Sequence, residues 1–132
     1  MTDWFVRARE AHFDGRALID GRRCDAVGGD TFIKSSPIDG RTLGSVARGR
    51  EADVDVAVKS ARAAFTDGRW AGKPPAVRKK LLQAFAAKIL AAKEELALLE
   101  TLDMGKPIQY SLAVDVPSTA RTIAWYAEAI EK

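Results

Sequence analysis

EELALLETLDMGKP, at residues 94–107, is the most informative stretch of the sequence. Its apolar residues recur at helical spacing, Gly105 suits the left-handed C-cap of a helix, and Pro107 prevents the helix from continuing. The stretch therefore predicts the end of an amphipathic helix followed by a tight turn. The start of that helix is predicted at the Pro-Pro pair at 74–75, because a proline in the first turn lacks only an N–H that has no helical partner.

Apolar periodicity on both sides of this stretch predicts three long helical segments. The first covers about residues 52–65 and the second about 75–104. The third covers about 108–132 and is divided by Pro117, with Asp115 as a possible N-cap of its second part. The apolar stripes are Val54, Val58, Ala61 and Phe65 in the first segment, Leu81, Phe85, Ile89, Ala92, Leu96 and Leu99 in the second, and Val116, Ala120, Ile123, Ala127 and Ile130 in the third. The stripes of the second and third segments are expected to bury against one another, to bury against another copy, or to stay exposed.

Residues 15–48, before the helices, predict short antiparallel strands. Asp20 and Gly21 suit the centre of a two-residue hairpin turn, because both residue types tolerate the positive φ that such a turn needs. A second turn is predicted at residues 36–41. Residues 1–14 contain acidic residues and no apolar core of a secretory signal, and we expect them to be mobile.

Composition limits the classes of protein to which the chain can belong. Of its 132 residues, 47% are hydrophobic and 30% are charged, which is typical of a globular domain and excludes wholesale disorder. No apolar run approaches the roughly 20 residues that a membrane span needs, so an integral membrane protein is excluded. Cys24 is the only cysteine, which excludes an intramolecular disulfide and a cysteine zinc site and favours a cytoplasmic location.

Few side chains suit acid–base or nucleophilic catalysis. His12 is the only histidine, and we expect it to be solvated near the chain terminus. Cys24 lies in a predicted strand without a histidine beside it, so we expect a packing or surface role rather than that of a nucleophile. Glycine-rich nucleotide loops and the common zinc-protease and serine-hydrolase motifs are absent from the sequence. The chain alone is therefore not expected to be a complete enzyme.

The net charge of +3 is unevenly spread, and one stretch is strongly basic. No acidic residue interrupts its cations, which are Arg69, Lys73, Arg78, Lys79, Lys80, Lys88 and Lys93. The simpler interpretation is the solvated face of an amphipathic helix. The alternative is a stand-alone helical module that binds nucleic acid or another anionic partner through residues 69–93.

Several motifs, in one order, resemble the aldehyde dehydrogenase superfamily. The run ELALLETLDMGKP is very similar to one that its members carry. LIDGRRCDA resembles the family's opening hairpin, TFIKSSPIDGRTLGSVARG resembles two of its strands with the turn between them, and ADVDVAVKSARAAF resembles its first helix. SLAVDVPSTARTIAWYAEAIEK is similar to the helix that follows the GKP turn. The resemblance covers residues 15–132, and the ending is most similar to the branch that oxidises γ-glutamyl-γ-aminobutyraldehyde.

The resemblance implies the N-terminal part of an α/β fold, in which short antiparallel strands precede three helical segments. The parallel sheet of the parent enzyme falls outside the matched region, so residues 1–132 are expected to be a single incomplete domain, the N-terminal part of a cofactor-binding domain. In the family a cysteine thiolate attacks an aldehyde, hydride passes to NAD or NADP, and a glutamate-activated water releases the carboxylic acid. Those groups also fall outside the matched region, so no residue here is assigned to catalysis or to cofactor binding.

The partners implied by the resemblance belong to the parent enzyme. They are an aldehyde substrate and NAD or NADP, and neither cofactor is expected to bind this chain alone. Apolar stripes without the parent's sheet favour self-association or co-assembly with a full-length homologue. A membrane partner is not expected.

Two candidate sites follow from positions that match the family. Asp103 matches an acid near a structural monovalent-cation site that also uses main-chain oxygens around Lys34 and Ser35. Asp115 and Ser118 match positions near the mouth of the substrate tunnel. The simpler interpretations are a surface acid near a helix end for Asp103 and a helix cap for Asp115.

At one position the chain departs from the family pattern. Ser36 precedes Pro37, where members usually have Asn or Asp. We therefore expect the turn at 36–41 to lose a side-chain hydrogen-bond acceptor.

Overall fold

The computed structural model describes residues 2–131. The strands are β1 (Ala17–Ile19), β2 (Arg22–Cys24), β3 (Thr31–Ser35) and β4 (Thr42–Ala47). The helices are α1 (Trp4–Glu10), α2 (Glu51–Thr66), α3 (Pro75–Ala91), α4 (Lys93–Met104), α5 (Ile108–Tyr110) and α6 (Val116–Ala129), and a π-helical turn at Ser111–Asp115 joins α5 to α6. The chain divides into two compact units, a sheet unit of residues 12–72 and a helical unit of residues 1–11 and 73–132.

The sheet unit contains the predicted antiparallel strands. β1 and β2 form a hairpin in which Asp20 has a φ of 50° and Gly21 a φ of 73°. Both central residues of the turn are thus left-handed, as the Asp-Gly pair predicts. β3 and β4 form a second antiparallel pair, with an irregularity between Lys34 and Ser35.

Gly15 joins the start of the sheet unit to β4. It forms an isolated parallel bridge with Val46, and its carbonyl accepts a hydrogen bond from the Ala47 amide at 2.9 Å. A Cβ at position 15 would lie 2.1 Å from the carbonyl oxygen of Ser45. Glycine is therefore required where these two backbone segments meet.

The turn between β3 and β4 has a side-chain hydrogen-bond acceptor at Ser36, although the departure from the family pattern predicted its loss. Ser36 is buried, and its hydroxyl oxygen accepts a hydrogen bond from the Ile38 amide at 3.2 Å. Its carbonyl accepts a second one from the Gly40 amide at 2.9 Å. The expectation was wrong because a serine hydroxyl reaches the same backbone amide that an Asn or Asp side chain would.

Asp53 organises the start of α2. Its carboxylate accepts hydrogen bonds from the backbone amides of Arg50 at 2.8 Å and Val27 at 2.7 Å. The first bond lies at the N-terminus of the helix, and the second ties the loop after β2 to α2. These amides, that of Arg50 foremost, hold the pKa of Asp53 below its ordinary value.

The apolar stripe of α2 is exposed within the sheet unit. α2 has no buried residue, and Val54, Val58 and Phe65 are all more than half exposed. The predicted ends of the helix are nevertheless correct to within a residue or so, with Gly68 at a φ of 73° just beyond the last turn. Caps act through neighbouring backbone groups, whereas burial depends on which surface lies opposite the helix.

The helical unit depends on the pairing of α3 with α6. Lys79, near the start of α3, forms ion pairs with Glu128 at 2.6 Å and Glu131 at 2.8 Å, at the end of α6, so the two helices run antiparallel. The two carboxylates, Glu128 foremost, hold the pKa of Lys79 above its ordinary value. Gln83, one turn further along α3, adds a hydrogen bond to Glu128 at 2.7 Å.

Small residues fill most of the core of this unit. The buried residues are Ala86 in α3, Ala97, Leu98 and Leu102 in α4, Ser111 in the π-helical turn, and Val116, Ala120 and Ala127 in α6. The stripe of the third helical segment is buried or half-buried throughout, including its two isoleucines. In the stripe of the second segment the bulky residues Leu81, Phe85 and Leu96 are exposed, which is one of the outcomes expected for it.

The second predicted helix is in fact two helices. Ala92 separates α3 from α4 with a φ of −93° and a ψ of 17°, outside regular helical geometry. No glycine or proline marks this break in the sequence. α3 packs mainly against α6 and α4 against the π-helical turn, so tertiary contacts divide the segment where local propensity would not.

The third segment changes helix type where the sequence predicts a division. Pro117 lies in the first turn of α6, directly after the π-helical turn. A π-helical turn adds a residue to the helix and so shifts the face that follows it. The helix continues through the proline because the amide that Pro117 lacks belongs to the first turn.

Helix α1 lies within the residues 1–14 that the sequence predicts to be mobile. Asp3 caps it, because its carboxylate accepts hydrogen bonds from the amides two and three positions further on, at 3.0 and 3.1 Å. Arg7 bonds to Glu94 of α4 at 2.6 Å. No residue of α1 is buried, so this helix lacks the buried apolar face that apolar periodicity in a sequence predicts.

Gly15→Ala should destabilise the protein by about 1–3 kcal/mol, because the new Cβ forces two backbone segments apart. Denaturant unfolding followed by circular dichroism measures the change. Gly28→Ala is the matched control, since Gly28 has no positive φ and a Cβ there meets its nearest atom at 4.0 Å. Equal stability of the two variants would contradict the close approach at Gly15.

Asp53→Ala should lower the melting temperature at neutral pH by a few degrees, because two backbone amides lose their acceptor. The pKa of Asp53 is lowered in the folded state, so its stabilisation is present above the ordinary Asp value of about 4 and is lost as pH falls through the lowered folded value. Melting curves of both proteins at neutral pH and at acid pH should therefore converge on acidification. Asp55→Ala, at an exposed position on the same helix, is the control.

Candidate functional site

The GKP turn, at residues 105–107, connects the end of α4 to the start of α5. Gly105 has a φ of 82°, and its amide donates a hydrogen bond to the Thr101 carbonyl at 2.9 Å, which closes the end of α4. Pro107 then stands at the N-cap of α5. Lys106, between them, is held at the surface between the end of α4 and the π-helical turn that follows α5.

Lys106 forms an ion pair with Asp115, the last residue of the π-helical turn. About a third of the Lys106 side chain and a quarter of the Asp115 side chain remain exposed. The interpretation of Asp115 as a helix cap is wrong, because its side chain makes no capping hydrogen bond to α6. Its carboxylate is turned to Lys106 instead, while its carbonyl accepts a hydrogen bond from the Thr119 hydroxyl at 2.9 Å.

Ser111 opens the π-helical turn and is fully buried. Its hydroxyl has no hydrogen-bond partner within residues 2–131, and the same is true of the half-buried Thr101. A buried hydroxyl without a partner is uncommon, because leaving it unpaired costs free energy. π-helical turns occur often at functional sites, so this turn makes the surrounding region a candidate functional site. Nothing in the sequence pattern singles out Ser111.

Asp115 and Ser118, the candidates for the mouth of the substrate tunnel, share one feature of the surface. Both line a shallow depression of about 460 Å³ on the surface of α6. Its wall offers two apolar groups, three hydroxyls and two carboxylates, those of Val114, Ile123, Ser118, Thr119, Thr122, Glu100 and Asp115. The pairing of the Asp115 carboxylate with Lys106 reduces the net negative charge at this depression.

A larger groove lies between α3, α4 and α6. It has a volume of about 600 Å³, and we call it the three-helix groove. Its apolar walls are formed by Phe85 and Ile89 of α3, Leu96 of α4 and Val116 of α6. Charged and polar groups, those of Lys88, Glu100, Asp115 and Thr119, stand around these walls.

The residues of the candidate cation site belong to different units. Asp103 lies exposed in the last turn of α4 in the helical unit. Lys34 is half-buried and Ser35 is exposed at the irregular end of β3 in the sheet unit. Within residues 2–131, His, Cys, Asp and Glu side chains form no group of three that could hold a metal ion. The monovalent-cation site stays a prediction.

The remaining candidates have ordinary surroundings. His12 is exposed, as expected. Cys24 is half-buried, and its sulfur lies 3.5 Å from the Arg22 carbonyl oxygen. In the basic stretch, Arg69 is paired with Asp67 at 2.6 Å and Lys79 is paired with two glutamates. The nucleic-acid alternative gains no support from this arrangement. None of the helices within residues 2–131 is both long and apolar enough to cross a membrane.

Comparison with known proteins decides the family. The model of the aldehyde dehydrogenase family matches residues 25–132, which is most of the chain. The chain belongs to the aldehyde dehydrogenase family. The predicted resemblance is thereby confirmed, including the order of the motifs on which it rests.

The sequence relatives include aldehyde dehydrogenases of bacteria. The NADP/NAD-dependent aldehyde dehydrogenase PuuC of Escherichia coli is 43% identical over 132 residues, which are 100% of this chain and 27% of the relative. The aminoacetaldehyde dehydrogenase of Pseudomonas aeruginosa is 46% identical over 117 residues, 89% of this chain and 24% of the relative. The chain thus spans about a quarter of the length of the curated relatives it matches.

Solved structures confirm the predicted fold, the N-terminal portion of an aldehyde dehydrogenase. The gamma-glutamyl-gamma-aminobutyraldehyde dehydrogenase of Burkholderia cenocepacia matches 98% of this chain with 26% of its own, at a TM-score of 0.95 and 51% identity. The indole-3-acetaldehyde dehydrogenase AldA of P. syringae, solved with NAD+, matches the same shares of the two chains at a TM-score of 0.95 and 50% identity.

Lys106→Met should destabilise the helical unit, because the half-buried Asp115 carboxylate loses its cation. A double-mutant cycle with Asp115→Asn should give a coupling free energy of about 1 kcal/mol in denaturant unfolding. Lys80→Met, at an exposed lysine of α3, is the control and should show no coupling to Asp115→Asn. Additivity of the Lys106 and Asp115 variants would contradict the ion pair.

Proposed function

We propose that this chain forms the N-terminal part of an NAD(P)-dependent aldehyde dehydrogenase, an oxidoreductase that converts an aldehyde to the carboxylic acid. The observation that carries the proposal is the superposition of 98% of the chain, at a TM-score of 0.95 and 51% identity, on one quarter of a gamma-glutamyl-gamma-aminobutyraldehyde dehydrogenase. Fold alone does not imply function, but this degree of identity over nearly the whole chain extends the likeness to the side chains.

The substrate that we propose is γ-glutamyl-γ-aminobutyraldehyde or a related aldehyde with a polar tail. The similarity to the Burkholderia enzyme and to an aminoacetaldehyde dehydrogenase supports this class. Asp115 and Ser118 are proposed to stand at the mouth of the substrate tunnel, which is consistent with the depression that they share. The hydroxyls of Ser118, Thr119 and Thr122 are the uncharged hydrogen-bonding groups there, beside the carboxylates of Glu100 and of Asp115, which is paired to Lys106.

The cofactor proposed for the enzyme is NAD or NADP, as in the names of the relatives. When bound, it accepts the hydride of the aldehyde carbon. No residue of this chain is assigned to it or to the covalent step. A monovalent cation bound by Asp103 with main-chain oxygens around Lys34 and Ser35, and a cytoplasmic location, remain proposals of the same kind.

A chimera tests the proposed function. In it, this chain replaces the part of E. coli PuuC that it matches, and NADH formation is followed at 340 nm with γ-glutamyl-γ-aminobutyraldehyde and NAD+. The chimera should oxidise the aldehyde, whereas PuuC without the replaced part should not. A chimera that melts cooperatively and binds NAD+ but forms no NADH would overturn the proposal.

Ser118→Ala in the same chimera tests the proposed tunnel mouth. It should raise the KM for the aldehyde several-fold with little effect on kcat, because a hydrogen bond to the substrate tail contributes equally to the ground state and the transition state. The KM for NAD+ serves as the internal control and should stay unchanged. An equal change in both KM values would indicate a general loss of structure instead.

A further inference from the structure

Asp-Gly pairs are the places where a polypeptide can rearrange its own backbone. The sequence contains four of them, at residues 14–15, 20–21, 39–40 and 67–68, and it contains no asparagine. In the first step the glycine amide nitrogen bonds to the side-chain carboxyl carbon of the aspartate. The C–OH bond of the carboxyl breaks, and the hydroxyl leaves with the amide proton as water. Glycine permits this attack because it has no side chain in the way.

Water then opens the five-membered cyclic imide at one of its two carbonyls. Attack at the side-chain carbonyl restores aspartate. Attack at the main-chain carbonyl produces an isoaspartyl residue, in which the chain runs through the side-chain carbon and the α-carboxylate is free. The first step requires a protonated carboxyl that can reach the next residue and a glycine amide that is free of hydrogen bonds. The four pairs differ in these two conditions.

Arginines restrain two of the four aspartates. The guanidinium of Arg16 donates two hydrogen bonds to the Asp14 carboxylate, both at 2.9 Å. Arg69 contacts the Asp67 carboxylate in a similar way, at 2.7 and 2.6 Å. The hydrogen bonds from these side chains, foremost, hold the pKa of each aspartate below its ordinary value, so the protonated carboxyl is rare at neutral pH. Gly15 is further fixed by its bridge to β4.

The pair at 39–40 is restrained at both of its reacting groups. The Ser36 hydroxyl, foremost, and the Arg41 amide hold the pKa of Asp39 below its ordinary value. The Gly40 amide, which would have to attack, donates a hydrogen bond to the Ser36 carbonyl at 2.9 Å. Closure of the imide at this pair would therefore require the loss of hydrogen bonds that hold the turn.

Asp20 and Gly21 have neither restraint. The Asp20 side chain is 66% exposed, and its ion pair with Arg69 is long, at 3.8 Å. Within residues 2–131 the Gly21 amide donates no hydrogen bond. A Cβ at position 21 would meet no atom within 4 Å beyond the neighbouring residues, so the space around the turn is open.

The hairpin around this pair has few contacts that keep it closed. β1 and β2 have three residues each, and none of these residues is buried. A two-stranded hairpin of this size is marginally stable by itself and belongs to the segments that open locally. Local opening frees the Asp20 side chain to turn onto the amide that follows it.

We propose that Asp20–Gly21 is a modification site, at which the folded chain forms a cyclic imide and then an isoaspartyl residue in preference to its other three Asp-Gly pairs. The product has an extra carbon in the backbone of the β1–β2 turn, so the two-residue turn no longer matches the twist of its strands. The inference rests on contacts within the sheet unit and does not depend on the proposed function.

Methylation of aged protein tests the proposal. The full chain is kept for several weeks at neutral pH and body temperature, in buffer and, in parallel, unfolded in guanidinium chloride. Protein isoaspartyl methyltransferase then transfers a labelled methyl group from S-adenosylmethionine to each isoaspartyl carboxylate, and peptide mapping locates the label. The unfolded chain gives the intrinsic reactivity of each pair, so the ratio of folded to unfolded label measures the effect of structure.

This ratio should be about tenfold or more higher at Asp20 than at the other three aspartates, because a pKa lowered by one unit makes the protonated carboxyl about ten times rarer. Circular dichroism confirms that the sample kept in buffer retains its secondary structure. Equal ratios at the four pairs, a higher ratio at another pair, or no label at Asp20 in the folded chain would overturn the proposal.

Arg69→Gln tests the physical reason for the preference. It removes the guanidinium that restrains Asp67, so the label at that aspartate should rise several-fold in the folded chain. Arg62→Gln, at an exposed arginine of α2, is the matched control and should leave the label at Asp67 unchanged. The same label at Asp67 in both variants would count against protection by ion pairing and so against the proposal.

Discussion

Close packing of small residues between α3, α4 and α6 is the constraint on which the helical unit depends. Ala86, Ala97, Ala120 and Ala127 are buried at the contacts, and helices that meet through alanines approach closely. Such contacts have no room for a bulky side chain, so an added methylene group would separate the helices. Leu81, Phe85 and Leu96, in contrast, lie on outer surfaces of the same helices. The burial of this unit is therefore set by shape as much as by hydrophobicity.

This arrangement makes the two ends of the α3–α6 pair chemically different. At one end Lys79 lies between two carboxylates, which fixes the antiparallel alignment by charge. Towards the other end lies the three-helix groove, where Phe85 remains half exposed. Large exposed apolar side chains mark interaction surfaces on globular proteins. The exposed stripe of α2 in the sheet unit has the same character, so both units present apolar surface beyond their own cores.

Around the GKP turn, local sequence signals determine where the helices end, and the tertiary structure determines which side chains form ion pairs. Gly105 and Pro107 end one helix and begin the next by backbone chemistry that is readable from residue type alone. From the sequence, Asp115 could be the N-cap of the helix that contains Pro117. Only the fold shows that its carboxylate forms an ion pair with Lys106 instead. The family match named Asp115 and Ser118 as candidates, and their role at a tunnel mouth stays a prediction, whereas no sequence signal pointed to the buried, unpartnered Ser111.

The sequence by itself determined the elements whose signals are local: the Asp20-Gly21 hairpin, the turn at 36–41, the ends of α2, the Gly105 cap and the family. Tertiary structure decided which faces are buried, the break at Ala92, the ordering of α1 by Arg7 and Glu94, and the partner of Asp115. The physical reason is one of range. Turns and caps are settled by backbone dihedral angles and hydrogen bonds within a few residues. Burial and ion pairing depend on surfaces that are distant in sequence, and hydrophobic periodicity reports that a helix has an apolar face without reporting what covers it.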